Sequence, residues 1–201
     1  MKPIWKASVA CLFACGWLLA APPTCVTAAL ADYIALGAQG CTLNGDVYAN
    51  FSYSAGASGG AATVTADQII VTPLVVVPAT SRFSFSAPWS VDQNQTQESV
   101  IRYTIVPPSG WTVPSQRQLM LGTAQIAGII GRVTVNEITN VGKLSVFTRC
   151  TEVCQAQTNG SLNFDPVSVV LVTDHVHISG GNGGASLNEF GALLNRCVLC
   201  V

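Results

Sequence analysis

Charge is scarce in this chain: Lys, Arg, Asp and Glu make up 9% of its residues, against 49% apolar ones. That balance excludes charge-driven disorder, which needs low hydrophobicity and high net charge. The few basic residues are scattered, with no two adjacent. The clustered cations that displace counterions from DNA or RNA are therefore missing, and nucleic acid is not an expected partner. Histidine is scarcer still, with two residues, His175 and His177. There is no Gly-x-Ser-x-Gly elbow, so nucleophilic catalysis has little to work with. Gly180 to Gly184 lacks the Gly-Lys-Ser/Thr ending of a phosphate loop and reads as a tight connection. The acids form no recognisable pair for glycoside hydrolysis. No catalytic residue and no cofactor are expected.

Helical periodicity is nearly absent, and no internal repeat is evident. What is present first is a leader. Lys2 and Lys6 precede Ala7 to Ala21, a run of apolar or small residues, and Pro22-Pro23 ends it. The run is too short to span a bilayer, which takes ~20 residues. The order of basic, apolar and small residues predicts a signal peptide over 1–29, cleaved after Ala28 or Ala29, and no transmembrane anchor afterwards. Loss of Lys2 and Lys6 leaves seven basic and ten acidic residues, a formal charge of −3.

Cleavage there would remove Cys11, Cys15 and Cys25 and leave Cys41, Cys150, Cys154, Cys197 and Cys200. Outside the cytoplasm these are free to form disulfides. Proximity favours Cys150–Cys154, with Cys41 as the alternative partner for either. Cys197 and Cys200 have a two-residue spacing, but a structural zinc wants a second close pair, and none has that spacing.

The rest reads as strands. Val47 to Tyr53 alternates, with Tyr48, Asn50 and Ser52 on one face and Val47, Ala49, Phe51 and Tyr53 on the other. Arg82 to Ser86 and Val100 to Val106 alternate too. Arg132 to Ile138 places Val133, Val135 and either Glu137 or Ile138 near a core. Lys143 to Thr148 opposes Leu144, Val146 and Thr148 to Ser145 and Phe147. Val167 to Val172 is apolar enough for a central strand. Period two with β-branched and aromatic residues is the strand signature, and Gly- and Pro-rich turns separate the runs. The prediction is an all-β fold: an antiparallel, jelly-roll-like β-sandwich of eight to ten short strands over 30–192, followed by a Cys-containing tail over 193–201. Leu119 to Ile130 is expected to be one buried strand bent at Gly122 and Gly128. Leu30 to Leu36 and Leu187 to Leu194 are read as short helices.

Candidate ligand sites are few. On a strand His175 and His177 point the same way, as a metal pair would, but no third histidine exists and Asp174 points oppositely. The expectation is no metal, with those two as the residues to watch. Trp89, Trp111 and Tyr103 are the aromatic candidates for stacking on a sugar. Three Asn-x-Ser/Thr triplets begin at Asn50, Asn94 and Asn159 and matter only where glycosylation occurs.

Certain stretches resemble a known group. Asp32 to Gly37, Gly40 to Asp46, Asn50 to Tyr53, Val172 to Ile178 with Gly180-Gly181, and Ala185 to Phe190 are similar to exported PEP-CTERM-type proteins of exopolysaccharide-producing environmental bacteria. The resemblance implies a secreted or surface-associated β-sandwich with no catalytic residue to carry over. The group's Pro-Glu-Pro sorting tail has no counterpart in Asn195 to Val201. The expected function is a secreted or cell-envelope protein with a structural or interaction role in the extracellular matrix, its partners polysaccharide or other surface proteins. A carbohydrate-binding module is the alternative, and a metal-dependent enzyme centred on His175 and His177 the second alternative.

Overall fold

The computed structural model describes residues 21–77, 80–109, 112 and 116–195. Two short elements open the domain, β1 (Ala28–Ala29) and α1 (Leu30–Ala35). Strands β2 (Cys41–Leu43), β3 (Asp46–Ser58), β4 (Ile70–Val77), β5 (Thr80–Val91) and β6 (Thr96–Val106) follow. Then come β7 (Gln116–Leu121), β8 (Ala124–Ile126), β9 (Ile130–Thr139), β10 (Gly142–Thr151), β11 (Val153–Gln157) and β12 (Asn159–Asn163). The last are β13 (Val170–Ser179) and β14 (Ala185–Asn195). Among the described residues they form two antiparallel sheets. Sheet I has the order β11-β10-β9-β13-β6-β3-β2; sheet II has β1-β4-β5-β14-β7-β12, with β8 also on β14. The chain is an antiparallel β-sandwich.

Alternation builds the core. Inward residues of β6 (Ile101, Tyr103, Ile105), β9 (Val133, Val135) and β13 (Val172, Val176, Ile178) meet Phe83, Phe85, Leu119 and Phe190 of sheet II. Phe83 makes edge-on ring contacts with Tyr33, Tyr48, Phe51 and Tyr103. Such contacts add to the area the rings bury.

Bulges reset the alternation in two places. The register of β3 on β6 shifts between Ala49 and Ser52, and Asn50 at φ 56° is the left-handed residue there. Across that shift Tyr48 and Phe51 both face the core, although strict alternation puts them on opposite faces. The segment Leu187 to Leu194, expected to be helical, is part of β14. Its register shifts between Leu187 and Glu189. Leu187 therefore faces inward, and so do Phe190, Ala192 and Leu194 after the bulge. The resulting spacing of three then four mimics a helix stripe.

Leu119 to Ile130 is not one buried strand. It contains the end of β7, all of β8 and the start of β9, and Ile129 and Ile130 are exposed. Gly122 and Gly128 do sit at its bends. A Cβ on Gly122 would lie 2.5 Å from the Glu189 carbonyl oxygen, and one on Gly128 2.4 Å from Asn182 Oδ1.

Both open sides of the sandwich are closed by chain that changes sheets. On one side β11 leaves sheet I and β12 joins sheet II directly after Thr158. On the other, Thr24 bridges to Thr42 of β2, while Ala28 and Ala29 pair with Val71 and Ile70 of β4. The second closure lies in the segment expected to leave with the signal. Cys25 is disulfide-bonded to Cys41, so Cys41 is not a partner for Cys150 or Cys154. The backbone N–H of Cys25 donates to Thr42 O, and Tyr33 Oη donates to Val26 O at 2.7 Å. A domain start at Leu30 would cut through this unit. Helix α1 is present as expected, its Leu30 and Tyr33 buried. Cys150 and Cys154 form the second disulfide, across the β10–β11 hairpin. Cys197 and Cys200 lie outside the described residues.

Candidate functional site

The aromatic candidates do not make a surface. Trp89 and Tyr103 are 1% and 2% exposed, so neither ring reaches a ligand. Trp89 donates its indole N–H to Ser99 Oγ at 3.0 Å. Both residues fall on the inward phase of their strands, where a large ring contributes most by filling the core. Trp111 lies outside the described residues.

Tyr103 belongs to a buried polar cluster. Arg117 of β7 donates to Glu137 Oε1 of β9 at 3.1 Å and to Tyr103 Oη of β6 at 3.2 Å, and pairs again with Glu137 Oε2. Asp174 of β13 is the cross-strand neighbour of Glu137. Its carboxyl lies against Glu137 and Tyr103. Burial, and then the Glu137 charge, push the Asp174 carboxyl well above the usual range, with Arg117 opposing. Burial thus favours the protonated form of Asp174 beside the Arg117–Glu137 ion pair. With all four residues at most 2% exposed, substrate has no access. The cluster holds the two sheets together.

His175 and His177 do share the outer face of sheet I. Glu98, one strand over, sits between them, its oxygens 3.7 Å from His175 Nε2 and 3.9 Å from His177 Nε2. Burial lowers the His177 pKa, with Arg132 and His175 adding to the effect and Glu98 opposing it. Among the described residues no group of three or more His, Cys, Asp or Glu could hold a metal ion.

Around these histidines the register lays out a lattice of outward side chains. One row across the strands is Gln157, Phe147, Thr134, His177 and Glu98. The row on one side is Gln155, Arg149, Arg132, Ser179 and Thr96; on the other side it is Ser145, Asn136, His175 and Val100. Phe147 stands out. Every other described aromatic ring belongs to the core cluster or packs against it. Phe147 lies half-buried on the outer face, with the Arg149 guanidinium 5.2 Å from its ring centre. Arg149 is fixed by Gln155 Oε1, which accepts from its Nε and Nη2 at 3.2 and 2.7 Å. Arg132 Nε donates to the buried Thr134 Oγ1 at 2.6 Å. The face is therefore a rigid sheet presenting one ring among planar hydrogen-bonding groups.

Concave regions lie elsewhere on the surface. A cleft of about 280 Å³ runs along β7 and β12, lined by Gln118, Met120, Asn159 and Ser161 among others. Beside it the outward amides bond one another, Gln116 to Asn163 and Gln118 to Gln116. An apolar recess of about 150 Å³ under the N-terminal strap is walled by Cys25, Tyr33 and Cys41 and offers almost no polar surface.

No family model and no curated protein matches the chain. Among solved structures it is similar to TmCBM61 in complex with β-1,4-galactotriose, at 10% identity and TM-score 0.32 over 63% of this chain and 87% of that one. It is also similar to one of the carbohydrate-binding modules of the β-sandwich superfamily with promiscuous specificity, at 11% identity and TM-score 0.24. That match covers 88% of this chain and 62% of the other. At these scores the architecture rests on the strand order given above, which makes the chain a two-sheet antiparallel sandwich.

Proposed function

We propose that this is an exported, non-catalytic module that binds polysaccharide of the extracellular or envelope matrix through the outer face of sheet I. Phe147 carries the reading. A half-exposed ring on a strand, with the Arg149 guanidinium over it and Gln157 and His177 in the same row across the sheet, offers an apolar surface among hydrogen-bonding groups. A sugar ring has the matching chemistry, with apolar C–H faces and hydroxyl edges. Export is supported by the basic and apolar order at the start of the chain and by the Cys25–Cys41 and Cys150–Cys154 disulfides. Among the described residues no helix is long and apolar enough to cross a membrane.

Affinity electrophoresis through gels containing a panel of polysaccharides tests the proposal. The wild-type protein is expected to be retarded by at least one polymer. Phe147→Ala is expected to weaken that retardation by about tenfold or more, the loss typical of a central aromatic anchor, with little change in melting temperature. Retention unchanged in the variant, or no retardation by any polymer, contradicts it.

A further inference from the structure

We infer that the ligand of this face is an anionic polysaccharide, one carrying carboxylate or sulfate groups along its chain. The inference rests on the polysaccharide reading above and adds the charge of the ligand.

The observation is where the cations go. Six Lys or Arg residues lie among the described ones: Arg82, Arg102, Arg117, Arg132, Lys143 and Arg149. Two have carboxylate partners, Arg82 with Glu189 on the outer face of sheet II and Arg117 with Glu137 in the core. The remaining four have none. All four are exposed, and all four are on the outer face of sheet I. Arg132 and Arg149 stand at one end of the lattice. Lys143 and Arg102 stand at the other, in the row that also holds Ile138 and Thr173. His175 and His177 lie between the two ends, and Glu98 is the one carboxylate in these rows. The mature protein carries more acidic than basic residues, yet this face has the opposite sign.

Arg132 and Arg149 strengthen the case. They are direct cross-strand partners on β9 and β10, with Cα atoms about 5 Å apart in such a pair. Like charges directly opposite each other destabilise a sheet, and no carboxylate relieves these two. Their other contacts, to Thr134 and Gln155, hold the guanidiniums in place without neutralising them. Two fixed, uncompensated guanidiniums match carboxylate or sulfate geometry, because each presents a planar fork of donors. The remaining cations are roughly 20 Å away along the strands, three rows at about 6.8 Å per two residues. A row of charges that long suits a chain bearing repeated anions better than a single small anion.

The test uses the mature protein with alginate and polygalacturonate as acidic probes and β-1,4-galactan and dextran as neutral ones. Retention on the acidic polymers is expected to exceed that on the neutral ones by about tenfold or more and to fall as salt rises. The double variant Arg132→Gln/Arg149→Gln is expected to lose that preference. It should melt at or above the wild-type temperature, because the repulsion is gone. Arg132→Lys/Arg149→Lys, which keeps the charge, should retain most of the preference. Equal retention on neutral polymers, or a double variant that still prefers acidic ones, overturns the inference while leaving the polysaccharide reading intact. Equally tight binding to duplex DNA or to vesicles of phosphatidylcholine and phosphatidylglycerol also overturns it, since the face would then select charge without selecting sugar. No binding to any of the four polysaccharides overturns both.

Discussion

Replacing Arg117 by Met is expected to destabilise the protein by about 3–5 kcal/mol, because it leaves the Glu137 carboxylate in the core without its cation. About 6–20 °C of melting temperature should go with it. The size of the effect follows from burial, since Arg117 and Glu137 are each 1% exposed. Asp174, the acid beside them, should behave in the opposite way. Its pKa is raised in the folded protein by burial and by the Glu137 charge, whereas in the unfolded chain it titrates near 3.9. Between that value and the raised one, the folded state holds a proton that the unfolded state has released. The resulting stability is complete below about pH 4 and is lost as pH rises through the folded pKa, by up to ~1.4 kcal/mol per pH unit. Asp174→Asn keeps the neutral shape and removes the proton. The stability difference between wild type and variant should therefore grow in the variant's favour from pH 4 to pH 8. The groups facing Asp174 are Glu137 on β9, Tyr103 on β6 and Arg117 on β7. Urea denaturation across that pH range decides both points. An Arg117→Met protein within about 1 kcal/mol of wild type, or an Asp174→Asn protein that shows the wild-type pH slope, contradicts the account of the cluster.

The second large effect concerns where the mature protein begins. Protein recovered from outside the cytoplasm is expected to start ahead of Cys25 rather than after Ala28 or Ala29. Starting at Leu30 would delete Cys25, the strand β1 and the hydrogen bond from Tyr33 to Val26. The disulfide alone joins residues 16 apart, a loop whose closure contributes ~3 kcal/mol in the chain-entropy model. Cys25→Ser is thus expected to lower the melting temperature by about 6–12 °C. A start at Leu30 found by N-terminal sequencing, or a Cys25→Ser protein that melts with wild type, would show that the strap is dispensable.

Alternation was the legible part of this molecule. Leu144 and Val146 are inward and Ser145 and Phe147 outward, as the period of two requires. Of the two options at the end of β9, the alternating one holds, with Glu137 buried and Ile138 exposed. Bulges were not legible, because a single extra residue shifts the phase without a compositional mark. That is why Leu187 to Leu194 resembles a helix. The N-terminal strap was hidden for a different reason. Small residues at Ala28 and Ala29 suit a peptidase, but they also suit an edge strand against β4. The outer face was the least accessible of all. Arg102 lies thirty residues before Arg132, and Arg132, Lys143 and Arg149 are spaced eleven and six residues apart, so the sequence shows no adjacent basic residues. The four share a face only because the order β10-β9-β13-β6 is set by long-range pairing. Phe147 was placed on the polar phase of its strand, but its isolation from the core depends on knowing where every other ring went.

The most direct test is to map the ligand on the protein. Backbone amide shifts recorded while alginate oligosaccharides are titrated into the mature, isotope-labelled protein would locate the contact surface. The account requires the largest changes at outward residues of sheet I, at Arg132, Thr134, Phe147, Arg149 and His177. Changes concentrated instead on the outer face of sheet II, at Gln116, Gln118 and Asn163, would contradict it.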